Sequence, residues 1–168
     1  DPALPPAPSR VWPDFGFAML RSDETPAYWT SGEAIAVSLV MSQGYGHDHR
    51  DKFGITLHGA GRLLYPDYNA IQYENMTIGW TRNGPSHSTV LVDEEDPRDV
   101  KPTGIRHTFS PDVKFLAVSA SEVFEGVDQT RALILTREYL LDLFQLSSPV
   151  PHTYDYLIHA FGAAAPAA

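Results

Sequence analysis

Ala132-Leu133-Ile134-Leu135-Thr136-Arg137-Glu138-Tyr139-Leu140-Leu141-Asp142-Leu143 is the stretch on which the fold turns. Read with a helical period it becomes an amphipathic helix running from about 128 to 146. Read as two apolar runs around a charged pair, it is a β-hairpin turning near Arg137-Glu138. The hairpin is preferred because no other part of the chain carries a helical period; the helix is the main alternative.

Working outward, further short runs rich in branched and aromatic residues are bounded by Gly, Pro, Asn and Asp. They predict strands over 15–20, 34–40, 53–58, 62–65, 88–93, 114–119, 131–136, 139–146 and 153–160. His58-Gly59-Ala60-Gly61-Arg62 reads as a second hairpin connection, and 93–108 as a polar loop. Ile55 and Leu57 alternate with Thr56 and His58, which supplies one apolar face for a core. So many strands in one domain of this length imply an all-β fold, an antiparallel β-sandwich of two packed sheets.

The chain has 168 residues, 43% apolar and 20% charged, which is ordinary for a globular domain with a core of its own. A Pro- and Ala-rich start, 1–12, reads as a linker, and 163–168 as a disordered tail. The domain is placed at 13–162. The first residue is not Met, and a piece of a longer protein is expected. There is no apolar stretch of membrane-spanning length and no signal-peptide pattern. The absence of cysteine excludes disulfides, thiolate nucleophiles and Cys-type zinc sites. A formal charge of −9 argues against nucleic acid or an acidic membrane surface as partner. Locally the balance differs: Arg50, Lys52, Arg62 and Arg82 are basic, while Asp93-Glu94-Glu95-Asp96 is acidic.

The chemistry concentrates in Gly46-His47-Asp48-His49-Arg50-Asp51-Lys52. Histidines two apart next to a strand share one side of an extended backbone. Asp67, in the turn Tyr65-Pro66-Asp67-Tyr68, and His87, before the apolar run 88–92, complete a candidate cluster of two imidazoles and a carboxylate. That donor set suits zinc. Taken singly, each residue has a plainer reading. A His-x-His pair in a loop is ordinarily exposed, and Asp51-Lys52 is most simply a turn with a solvated ion pair. Trp12, Trp29 and Trp80 read as core or edge packing, and Asp128 and Asp142 as structural hydrogen-bond partners. No partner is predicted for His58, His107, His152 or His159.

Four stretches in order resemble the heparinase II/III-like polysaccharide lyases. Gly46-His47-Asp48-His49-Arg50-Asp51-Lys52-Phe53 is similar to their Gly-His-x-His signature. Gly61-Arg62-Leu63-Leu64-Tyr65-Pro66-Asp67-Tyr68 is similar to the strand carrying their aspartate. Ser86-His87-Ser88-Thr89-Val90-Leu91-Val92-Asp93 is similar to their later histidine strand, with Ser88 in place of the usual Asn. The late strands around 127–131, 139–142 and 152–159 agree as well. The resemblance covers about 15–162, with alginate-lyase-like members nearest in the His-x-His region.

The resemblance implies the C-terminal sandwich of a two-domain lyase whose N-terminal α/α toroid is missing from this chain. It implies zinc, structural in role, on His49, Asp67 and His87. His47 would face the substrate as a catalytic group and Tyr73 would carry a proton, although 69–83 departs from the family's pattern. Arg50 and Arg82 are candidates to contact substrate anions. The implied substrate is an acidic polysaccharide (alginate, heparin/heparan sulfate or a similar uronate glycan) cleaved by β-elimination, with a periplasmic or secreted location. The alternative is a non-catalytic carbohydrate-binding or scaffold sandwich module. A cupin-like metal site is a third reading, but it requires a carboxylate a few residues after His49, and Asp51 is too near.

Overall fold

A computed structural model of the chain describes residues 3–41, 49–67 and 77–161. Strands β1 (Arg10–Trp12), β2 (Phe17–Arg21), β3 (Ala36–Val40), β4 (Ile55–Gly59) and β5 (Arg62–Tyr65) form one antiparallel sheet in that order. A short helix, α1 (Thr77–Thr81), and a 3-10 turn, Gly84–Ser86, lead into β6 (Val90–Val92). Then β7 (Gly104–Phe109), β8 (Lys114–Phe124), β9 (Val127–Leu135) and β10 (Leu140–Ser147) form a second antiparallel sheet. The last strand, β11 (Tyr154–Tyr156), returns to pair with β6. Among the described residues no helix is long and apolar enough to cross a membrane.

The core lies between the two large sheets. Ala18, Leu20, Val37 and Leu39 from the first meet Leu116, Val118, Leu133 and Leu135 from the second. Each fully buried Leu stabilises the fold by about 1.5–3 kcal/mol relative to exposure. Alternation selects these residues: along β9, Val127, Gln129, Arg131, Leu133 and Leu135 are all buried, and the residues between them are not.

The decisive stretch is a hairpin. Leu135 pairs with Leu140, and the Thr136 N–H donates to the Tyr139 carbonyl at 3.0 Å. β10 is an edge strand whose inward row, Leu140, Phe144 and Leu146, packs on the core while Leu141 and Leu143 remain exposed. An apolar residue at nearly every position therefore reflects a packed face plus an uncovered one. The second hairpin also holds: Gly59 pairs with Arg62 around Ala60 and Gly61, both at positive φ (50° and 70°).

Two expectations are corrected. Residues 3–12 are docked rather than free. Arg10–Trp12 pairs with β2, Ala7 is 2% exposed, and the Trp29 indole donates to the Pro5 carbonyl. Proline-rich chain suits such an extended segment because it needs few ladder donors. The stretch 93–108, read as a loop, includes all of β7 but its last residue. This edge strand is mostly exposed, so its residues carry little apolar alternation, and its backbone pairing with β8 defines it instead. The tail at 163–168 lies outside the described residues.

Candidate metal centre

Three separate segments deliver the cluster. His49 lies shortly before the turn that enters β4, Asp67 stands two residues beyond β5, and His87 closes the 3-10 turn before β6. Their ligand atoms all fall within 4.8 Å of one another. The His49 and His87 ring centroids are 5.2 Å apart. His87 Nδ1 lies 2.6 Å from Asp67 Oδ1, and the ring is 2% exposed.

Local chemistry explains how the segments meet. Ile55 N–H donates to the Ser88 carbonyl, and Thr89 Oγ1 donates to the Lys52 carbonyl at 2.6 Å, which stitches the His49 segment to the His87 segment. Phe53 between them sits in the left-handed region at φ 55°, a backbone state that costs a residue with a side chain roughly 1–3 kcal/mol. The next residue must be glycine: a Cβ on Gly54 would stand 2.7 Å from the Asp51 carbonyl oxygen.

The residues fit a cation. Two imidazoles and one carboxylate converge, and His87 Nε2 is buried with no hydrogen-bond partner among the described residues. A buried nitrogen without a partner is costly, and with Nδ1 donating to Asp67 the Nε2 lone pair is free to ligate a cation. The 2.6 Å contact between His87 and Asp67 is a hydrogen bond, shorter than the roughly 3.3 Å that tetrahedral ligands at bond lengths near 2.0–2.1 Å would keep. A cation held by Nε2 would leave that bond in place, whereas one held by Nδ1 would have to replace its proton.

Beside the cluster is a cleft of about 520 Å³ that His49, Arg50, Lys52, Arg82, Asp96 and Arg98 help to line. Arg50 and Arg82 are thus brought to one cavity, and the Arg50 N–H donates to the Arg82 carbonyl at 2.7 Å. Asp96 bonds the Arg50 guanidinium at 2.7 Å with one oxygen and accepts from the Gly84 N–H with the other. His47 and Tyr73 lie outside the described residues.

Lys52 and Asp51 correct the simplest sequence reading of a solvated pair, being only 6% and 9% exposed. The Lys52 ammonium donates to the Val100 carbonyl. Burial lowers its pKa from 10.5 to about 8, with Asp99 and Asp51 pulling the other way. The sequence reading gave no site role to Asp96, seen only as part of an acidic run, or to Arg98; tertiary contact brings both to this cleft. Of the histidines without a predicted partner, His152 bonds Asp93 at 2.6 Å and His159 faces the Pro85 carbonyl at 2.9 Å. Trp12, Trp29 and Trp80, read as core or edge packing, are not core: each is more than a third exposed, with Trp12 beside Phe17, Trp29 beside Tyr28 and Trp80 beside His159. Asp142 is a structural hydrogen-bond partner, held by Arg131.

The chain is an antiparallel sandwich carrying a His-Asp-His cluster that could hold a metal. The chain matches the heparinase II/III-like C-terminal family model over residues 4–159. It belongs to that family. Solved structures with the same fold include a heparinase III gene product (14% identity, TM-score 0.81, covering 95% of this chain and 25% of that one). Heparan sulfate lyase HepC from Pedobacter heparinus is another (20% identity, TM-score 0.71, 83% of this chain and 22% of that one). A further heparinase III matches at 15% identity with TM-score 0.67, over 82% of this chain and 22% of the other. At these identities the likeness is one of fold. The chain spans about a quarter of the length of these structures. No curated protein sequence matches it significantly.

Proposed function

We propose that this chain is the zinc-bearing sandwich of a polysaccharide lyase that cleaves uronate glycans, of the heparin/heparan sulfate or alginate kind, by β-elimination. The observation that carries the reading is the meeting of His49, Asp67 and His87 from three segments of a heparinase-family fold. Two nitrogens and an oxygen suit zinc better than a hard cation that prefers oxygen alone. The ion's contribution is to tie the segments together and fix what stands next to them.

In such an elimination the proton leaves C5, beside the sugar carboxylate, and the 4-linked oxygen departs. The C–H is acidic only when the neighbouring carboxylate is neutralised and the enolate-like charge is stabilised as it forms. Arg50 and Arg82, on the wall of the cleft, are the cations for that task. His47, two residues before His49, and Tyr73 are the groups to take or return the proton. The proposal places the remaining walls of the substrate cleft on an α/α toroid elsewhere in the same protein, which leaves the sandwich inactive alone. A periplasmic or secreted site of action is part of it, since the polymers are extracellular.

The test is a parent protein that contains this chain, incubated with heparan sulfate, heparin and alginate while the ultraviolet absorbance of unsaturated uronate is followed. Zinc is measured by elemental analysis beside it. One zinc per chain, lost in His87→Ala, and an absorbance rise on at least one polymer are expected. No rise on any polymer would leave the non-catalytic sandwich module as the better account.

A further inference from the structure

Among the described residues the largest fully buried side chain is a charged one, Arg131. It occupies the inward row of β9, where the pattern calls for an apolar residue. Its guanidinium has every edge engaged. Nε and Nη2 grip both oxygens of Asp142 on β10, at 2.9 and 2.5 Å. Nη1 points the other way and donates to two main-chain carbonyls, Phe53 at 2.5 Å and Ser88 at 2.8 Å. The Phe144 ring lies beneath the guanidinium, 5.0 Å away. The Tyr156 hydroxyl donates to Asp142 Oδ2 at 2.5 Å, closing the seat from β11.

Those two carbonyls sit at informative positions. Ser88 directly follows His87. Phe53 directly follows the segment 49–52 and is itself in the left-handed region at φ 55°. Its N–H is tied to the Val40 carbonyl at 2.9 Å, and its carbonyl is tied to Arg131. The turn that swings His49 away from β4 is therefore fixed at both faces of one residue. Arg131 thus bonds a main-chain carbonyl four residues after His49 and another one residue after His87.

We propose that Arg131, seated on Asp142, is the positioning residue of the metal centre, holding the His49 and His87 segments at ligand spacing. The inference rests on the metal reading given above. A planar five-donor fork can grip a carboxylate with one edge and two carbonyls with another; a lysine ammonium in its place keeps the charge but not this reach.

The experiment compares the zinc affinity of this chain, by competition with a chromophoric chelator, with its melting temperature by circular dichroism. The variants are Arg131→Lys, the milder Asp142→Asn, and Leu116→Ala as a core control outside this network. Arg131→Lys is expected to weaken zinc binding about tenfold or more, the scale seen when groups that orient metal ligands are removed. Asp142→Asn is expected to shift it in the same direction by less. Leu116→Ala is expected to lower the melting temperature while keeping zinc affinity within about twofold, because Leu116 lies on β8, where its strand partners are His107 and Leu133 rather than a ligand segment. Wild-type affinity in whichever of Arg131→Lys and Asp142→Asn folds overturns the proposal and leaves the metal reading standing. A core control that loses affinity in proportion to its melting temperature also overturns it. A wild-type chain that takes up no zinc overturns both.

Discussion

Replacing Lys52 by Met should remove a pH dependence of stability that the buried ammonium creates. The side chain is nearly inaccessible, and burial brings its pKa from 10.5 to about 8. Below pH 8 both folded and unfolded chains carry the proton, and the penalty for burying the charge is fully present. Between pH 8 and 10.5 the folded chain has shed the proton that the unfolded chain still holds, so stability rises with pH. At about 1.4 kcal/mol per tenfold change in equilibrium, the full effect is about 3 kcal/mol. About 2 kcal/mol of it falls between pH 7 and 9.5. Tyr156 sets the upper limit of the window. Burial and its bond to Asp142 push its pKa from 10 up to about 12, which makes stability fall with pH above 10. The assay is urea denaturation followed by circular dichroism at pH 7, 8, 9 and 9.5, with a chelator present so that metal uptake does not add its own proton linkage. With a slope of about 2 kcal/mol/M, the wild-type midpoint should climb by roughly 1 M. The Lys52→Met midpoint should stay flat across the same range. A flat wild-type profile, or an equal climb in Lys52→Met, would refute the reasoning.

Asp142→Ala leaves the fully buried Arg131 without its carboxylate and should destabilise the chain by about 3–5 kcal/mol, read from the same denaturation curves at pH 7. Ala60→Asn should stabilise by roughly 0.5–1 kcal/mol, because Ala60 precedes Gly61 with both at positive φ, where an Asn-Gly pair is preferred; an unchanged or lower urea midpoint would contradict this. Gly54→Ala should cost about 1–3 kcal/mol by forcing a methyl against the Asp51 carbonyl, and zinc uptake measured on the variant should drop with it.

Local pattern made much of the fold legible. The charged pair at Arg137-Glu138 between apolar runs marks a turn that the Leu135–Leu140 pairing realises. The Gly59–Arg62 connection needs positive φ, and the glycine there announces it. β7 escaped because an edge strand needs only backbone partners, and the Pro-rich start escaped because composition does not reveal where an extended segment will dock. The ligand types and their order, His49, Asp67, His87, could be read from motif resemblance, since a strand or turn fixes which residues stand near its own ends.

The sequence by itself determined an all-β chain with two hairpins and three residues of metal-ligand type. It could do so because strand alternation, turn geometry and donor chemistry are properties of neighbouring residues. Only the tertiary structure decided that those three side chains meet, that Lys52 is buried beside them, and that an arginine stands in the inner row of β9 with its charge balanced from β10. These outcomes depend on contacts between residues dozens of positions apart, as in the 78-residue separation between Arg131 and Phe53. Burial and partner geometry at such range arise from how the sheets pack, which no local window of sequence encodes.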